Sequence, residues 1–209
     1  MILAVDTSIG STVAVVEPGG AVRALAESES PRGHAEVIGD LLVRALAEAG
    51  IGAEEITHVA AGMGPGPFTG LRIGIAAAHA FAIGRDLPLL PVVSHDAAAL
   101  AHVESGGSER FAIVTDARRR ENAVTRYDGL DALDLPRRVA GPELHPQADD
   151  LAAFGPDVEI VRVSAIRADH LGRVAARRLA AGIAAEPAEP LYLRSPDVVV
   201  GHTPKRVSA

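Results

Sequence analysis

Ile2-Leu3-Ala4-Val5-Asp6-Thr7-Ser8-Ile9-Gly10-Ser11-Thr12-Val13-Ala14-Val15-Val16 opens the chain with two aliphatic runs around a polar tip. Short apolar runs bounded by Gly, Ser and Asp read as buried strands, so this stretch predicts a β-hairpin, Ile2 to Val5 and Thr12 to Val16. Pro18-Gly19-Gly20 makes the next turn, and Ala21 to Ser28 returns as a third antiparallel strand. From His34 the period changes to that of a helix. Ile38, Leu41, Leu42, Ala45, Leu46 and Ala49 share one face, and Gly50 ends it. Ile56 to Gly62 is again a strand. Gly64-Pro65-Gly66-Pro67-Phe68-Thr69-Gly70 is a stiff turn into a helix over Leu71 to Ile83, with Thr69 as its expected N-cap. Strands alternating with helices place the chain in the α/β class.

Beyond this lobe, Leu89 to Val93 is a strand and Ser94 is expected to cap a short helix over Asp96 to Val103, with Asp96 well placed for the helix dipole. Ser105-Gly106-Gly107-Ser108 is the expected boundary between an N-terminal lobe, 1–104, and a smaller C-terminal lobe with an extended tail, 105–209. In the second part, Phe111 to Val114, Ala123 to Tyr127 and Val158 to Val163 read as strands. Residues 128–147 hold one irregular strand, Gln147 to Phe154 a short helix and Asp169 to Ile183 a longer one.

Composition narrows the function. A chain of 209 residues with 48% hydrophobic and 22% charged residues is of the globular kind, and with 3% aromatics its core must be aliphatic. Cysteine is absent, which excludes disulfides, thiolate metal sites and a cysteine nucleophile. No basic leader or long uncharged apolar run is present, so a cytoplasmic protein without a membrane association is expected. The net charge of −7 arises in residues 1–104, which carry 5 Arg against 12 Asp and Glu. Without a basic stripe to neutralise phosphates, that half is a poor nucleic-acid binder by itself.

The helix over Leu71 to Ile83 has almost no polar face, only Arg72 and His79. A helix apolar all round is covered all round. Gly70, Gly74, Ala77, Ala78 and Ala82 would let another helix come close, and the cover is either a partner's helix or the first helix of this same chain. Three stretches are candidates for chemistry. Asp6-Thr7-Ser8 stands where actin-like domains bind phosphate, or Asp6 caps its own turn. The Gly64 to Gly70 run offers a helix N-terminus to an anion, or simply sets the helix angle, and it has no Lys of the P-loop kind. Arg118-Arg119-Arg120 on a hairpin meets phosphate or a partner's carboxylates, or is a solvated turn. The eight histidines include no pair at i, i+4, so a two-histidine metal platform on a helix is missing.

Ile2 to Ser8, Arg32-Gly33-His34-Ala35-Glu36, Gly64 to Gly74, Asp116-Ala117-Arg118-Arg119 and Pro190-Leu191-Tyr192-Leu193-Arg194 closely resemble, in this order, the TsaB family of tRNA threonylcarbamoyladenosine biosynthesis. The resemblance implies a two-lobed actin-like ATPase or sugar-kinase fold, ribonuclease H-like, with mixed sheets and a reduced second lobe. It implies a non-catalytic subunit in threonylcarbamoylation of adenosine 37 (t6A) in tRNAs that read codons starting with A. Its partners would be a metal-bearing TsaD-like transferase and a TsaE-like ATPase, with a homodimer when TsaD is absent. ATP and the metal would belong to the partners, this chain would hold no cofactor, and tRNA would be met through the complex. The histidine pair that holds the metal in TsaD falls here on Ser94 and Ala98, or one register on, His95 and Ala99. The implied partner interface is His34, Ile38, Leu71, Gly74, Ile75, Ala78, His79, Phe81 and Ala82, with Gly74→Arg expected to abolish pairing in a folded chain. Asp6, Thr7 and Ser8 would be a vestigial phosphate loop, and Arg118 and Arg119 docking residues. The alternative is an autonomous nucleotide-dependent kinase or ATPase using Asp6.

Overall fold

The computed structural model describes residues 1–28, 33–185 and 188–194; Arg32 lies outside them. In chain order the elements are β1 (Ile2–Asp6), β2 (Thr12–Val16), β3 (Val22–Glu27), α1 (His34–Ala49), β4 (His58–Gly62), α2 (Phe68–Gly84), β5 (Leu89–Val92), α3 (Ser94–Glu104), β6 (Arg110–Asp116), β7 (Glu121–Leu130), β8 (Pro136–Pro146), β9 (Glu159–Arg162) and α4 (Ala168–Ala180). They build two mixed sheets, ordered β3-β2-β1-β4-β5 and β8-β7-β6-β9. β1 runs antiparallel to β2 and parallel to β4, and β6 repeats this with β7 and β9. β1 is central and covered on both faces, so all five of its residues are buried, which explains its unbroken aliphatic run.

Helices α1 and α2 cover one face of the first sheet, packing on Leu3, Val5, Val13, Val15 and Val59. The opposite face, Ile2, Ala4, Ala14 and Val16, joins a second core with α3, α4 and the inner residues Phe111, Ile113 and Tyr127 of the second sheet. The two sheets separate at the Ser105 to Ser108 turn. Helix α4, although it belongs to 105–209, packs on β1, β2 and β4 of the first sheet.

Three local expectations change. Helix α2 starts at Phe68, not Leu71, and its N-cap is Pro67 rather than Thr69. Proline's fixed φ and missing N–H suit it to a helix start, where no partner waits for that N–H. Helix α3 begins at Ser94, whose hydroxyl turns away to Asp6 instead of capping. The helix expected over Gln147 to Phe154 shortens to a 3-10 turn, Leu151–Phe154, closed by Ala152 N donating to Asp150 Oδ1. Among the described residues no helix is long and apolar enough to cross a membrane.

Candidate functional site

Asp6 ends β1 and sits 1% exposed at the centre of a closed hydrogen-bond network. Ser8 donates its N–H (2.8 Å) and its hydroxyl (2.5 Å) to Oδ1, and Ser94 donates its hydroxyl to Oδ2 at 2.6 Å. Gly64 N–H in turn donates to Ser94 Oγ at 3.0 Å. Thr7 donates to Gly70 O at 2.7 Å and accepts from Gly74 N at 3.0 Å. A Cβ at Gly62 would collide with the Asp6 carboxyl. Burial raises the pKa of Asp6, and the bonds from Ser8 and Ser94 offset this only in part. Asp6, Thr7 and Ser8 therefore do not form an open phosphate loop. Their side chains are spent inside the fold, tying the β1–β2 turn to the start of α2 and to α3.

Helix α2 turns Leu71, Gly74, Ile75, Ala78 and Ala82 toward its own sheet. Leu71 and Ala78 are fully buried there, as is most of Ile38 from α1. These six residues are core, not contact surface, which corrects the expectation for them. The missing side chains of Gly70 and Gly74 let α2 approach the β1 turn instead of a second helix. A Cβ at Gly74 would collide with the Thr7 hydroxyl, so arginine there breaks the fold and not a surface contact. His79 and Phe81 are half-buried on the helix flanks, and His34 bonds Ser11 Oγ through Nδ1 at 2.7 Å. The outward side of α2 is Arg72, Ala76, Ala80 and Ile83, with Ile83 77% exposed and Ile73 half-buried at its edge. Helix α1 adds exposed Gly39 and Ala47 and, 68% exposed, Val43.

A polar seam joins α3 to the second sheet. His95 is enclosed between Thr125 Oγ1 (2.7 Å from Nδ1) and Thr115 Oγ1 (2.9 Å from Nε2). Burial, helped by the Arg138 charge, lowers its pKa to about 3. Asp96 accepts from Tyr127 Oη and from Arg138, each at 2.7 Å. Burial and the Asp96 charge push the Tyr127 pKa well up. Ser94 is bound to Asp6, Ala98 has no ligating atom and His95 faces two threonines, so these residues do not fit the metal of a transferase. Among the described residues no three of His, Asp or Glu are grouped to hold a metal ion.

Between the Pro65 to Phe68 turn and the β6–β7 hairpin lies a cavity of about 350 Å³. Residues 191–194 cross it: Leu191 N–H donates to Met63 O at 2.8 Å, the Tyr192 ring lies 4.9 Å from that of Phe68, and Arg194 pairs with Glu121. Arg118 and Arg119 are exposed and line this cavity, at a hairpin tip. The sequence singled them out; it read Ser94 as a helix cap and the place of a lost metal ligand, held Tyr192 only within a motif, and left the outward residues of α2 out of the contact surface. For its bond to Asp6, Ser94 gave a signal only as a polar residue at a strand end opposite Asp6.

Residues 14–189 match the family described as TsaD, tRNA N6-adenosine threonylcarbamoyltransferase. An uncharacterized protein of Mycobacterium tuberculosis is 35% identical over 94% of this chain and 92% of its own length. The tRNA threonylcarbamoyladenosine biosynthesis protein TsaB of Haemophilus influenzae is 37% identical over 43% of this chain and 38% of its own. The solved structure of YeaZ from Pseudomonas aeruginosa superposes with a TM-score of 0.75 at 26% identity, covering 92% of this chain and 99% of that one. The two mixed sheets are those of an α/β fold shared with YeaZ. With a profile match across most of its length and the YeaZ architecture, the chain belongs to the TsaD family and is a TsaB-like member of it, which ties it to threonylcarbamoyladenosine modification of tRNA.

Proposed function

We propose that this chain is a non-catalytic subunit of the machinery that modifies adenosine 37 of tRNAs reading codons that start with A, and that the outward face of α2, flanked by α1, seats a TsaD-like transferase subunit. One observation carries the reading: among the described residues Ala76, Ala80 and Ile83 form an exposed apolar stretch of α2, with half-buried Ile73 at its edge and Val43 exposed beside it on α1. Burying each large side chain there contributes about 1.5–3 kcal/mol at most, enough in sum for a specific contact. The same face serves a homodimer when the partner is missing. A TsaE-like ATPase docks on the assembly, ATP and the metal belong to the partner subunits, tRNA is met through the complex, and the assembly works in the cytoplasm. The Asp6 carboxylate is engaged by Ser8 and Ser94, and the Thr7 hydroxyl by Gly70 and Gly74, which supports a chain without its own nucleotide chemistry.

Co-purification with the TsaD-like and TsaE-like proteins of the same organism, followed by a reconstituted tRNA modification assay, tests the pairing. Ala80→Arg with Ile83→Asp should abolish co-elution and modification while the circular dichroism of the chain is unchanged. Undiminished co-elution refutes the contact. The competing reading, an autonomous kinase or ATPase, predicts saturable magnesium-ATP binding with turnover by the isolated chain in calorimetry; that result overturns the non-catalytic assignment.

A further inference from the structure

The outer face of the second sheet holds a recess of about 180 Å³ whose charged lining is Arg110, Arg126 and Asp128, with Val139 and Val158 as its apolar part. Arg110 starts β6 opposite Asp128, and Arg126 of β7 stands opposite Ala112, so both arginines rise from neighbouring strands on one face. The half-buried Arg126 guanidinium lies over the Phe154 ring, 5.1 Å from its centroid, and its Nε is buried without a hydrogen-bond partner. Half-buried arginines elsewhere meet a carboxylate: Arg138 meets Asp96, and Arg173 and Arg177 share Glu104. Among the described residues no carboxylate forms an ion pair with Arg126 or Arg110. Asp128 is held by Arg137, its Oδ2 accepting from Nη2 at 2.7 Å. Glu109 and Asp157 adjoin the recess in sequence without lining it, and Glu159 accepts from Ser108 N at 3.3 Å.

Taking a guanidinium out of water without a counter-charge is unfavourable, and an anion from outside the chain relieves it. Within the recess, Arg110, Arg126 and the Arg137–Asp128 pair leave two positive charges unmatched. A single carboxylate matches one of them. A phosphate monoester carries close to two negative charges and three acceptor oxygens, enough for both guanidinium forks. The volume is well below the roughly 300 Å³ at which sites for larger organic ligands begin, so the group attached to the phosphate has to be short. We propose that Arg110 and Arg126 form a binding site for the phosphate of a small phosphate monoester. The site uses no residue of the α2 contact proposed above, so it goes beyond that contact and does not depend on it.

Titration of inorganic phosphate, and separately of methyl phosphate, into the isotope-labelled full chain tests this, followed by nuclear magnetic resonance of the arginine Nε–H groups. Both ligands should move the Arg126 resonance and saturate with a Kd of about 1 mM or tighter. Acetate at matched ionic strength should bind at least about tenfold more weakly. A short RNA without a terminal phosphate, which offers diester phosphates alone, should also bind at least about tenfold more weakly than methyl phosphate. Arg126→Gln should weaken phosphate binding about tenfold or more. Arg110→Gln should do the same, and at its exposed position it should leave the circular dichroism in place, which keeps the test valid if the Arg126 variant does not fold. Equal binding of acetate, equal or tighter binding of the RNA at the Arg126 resonance, no saturation up to about 20 mM phosphate, or unchanged affinity in the Arg110 variant would each overturn the proposal.

Discussion

Acidification should loosen the seam between the two sheets through His95. The imidazole is fully enclosed, with hydroxyl partners on both nitrogens, and burial together with the Arg138 charge holds its pKa at about 3, against 6.5 for an exposed histidine. Between these two values the unfolded chain binds a proton that the folded chain does not, so the unfolding free energy falls as the pH drops through that window and is flat above it. Going from about pH 7 to about pH 4.5, this group alone should remove about 2–3 kcal/mol of stability. Asp6 works with the opposite sign, since its pKa is raised in the fold and protonation there favours the native state. The two effects separate by comparing the native chain with His95→Gln, which keeps an amide between the two threonines but takes no proton in this range. Urea unfolding followed by circular dichroism at both pH values gives four free energies. The native chain should lose about 2–3 kcal/mol more than the variant between the two conditions. Equal losses in both proteins would refute the argument that the fold keeps this imidazole neutral.

Gly74→Ala should cost about 1–3 kcal/mol by forcing α2 off the Thr7 hydroxyl, read as a lowered melting temperature, and Gly74→Arg should yield no folded chain. Arg138→Met leaves Asp96 without its cation in a largely buried setting and should cost about 3 kcal/mol in urea unfolding; adding Asp96→Asn should recover part of that loss. Arg118, Arg119 and Arg120 have φ of 66°, 53° and 61°, a left-handed conformation that costs non-glycine residues about 1–2 kcal/mol each. Arg118→Gly should therefore raise stability by about 0.5–1 kcal/mol in the same measurement, after the greater freedom of glycine in the unfolded chain is counted.

The first lobe was legible because its signals are local. β1 is buried on both faces and α1 on one, so an unbroken aliphatic run and a 3.6-residue period mark them plainly. The orientation of α2 was not legible, for a related reason: a helix that is apolar all round carries no period to say which side meets the sheet. The contact surface assigned to it mixed large residues, Leu71, Ile75 and Phe81, with small ones that allow close approach, and the close approach, at Gly70 and Gly74, is to Thr7. Asp6 left two readings open in the sequence, a phosphate turn and a self-capped turn. What separates them is Ser94, 88 residues away, and no local pattern announces a hydrogen bond of that range. The destination of α4 is hidden in the same way, because its amphipathic face is as compatible with the nearer sheet as with the distant one.

The return of α4 to the first sheet bears on how the chain is made. A ribosome that has delivered β1 to β5 has produced every strand of that sheet, yet Ile2, Ala4, Ala14 and Val16 stay bare on one side until a helix encoded by residues 168–180 emerges. The amino-terminal portion is thus unfinished through most of its own synthesis. A truncation at residue 104 should accordingly be sticky and prone to clump.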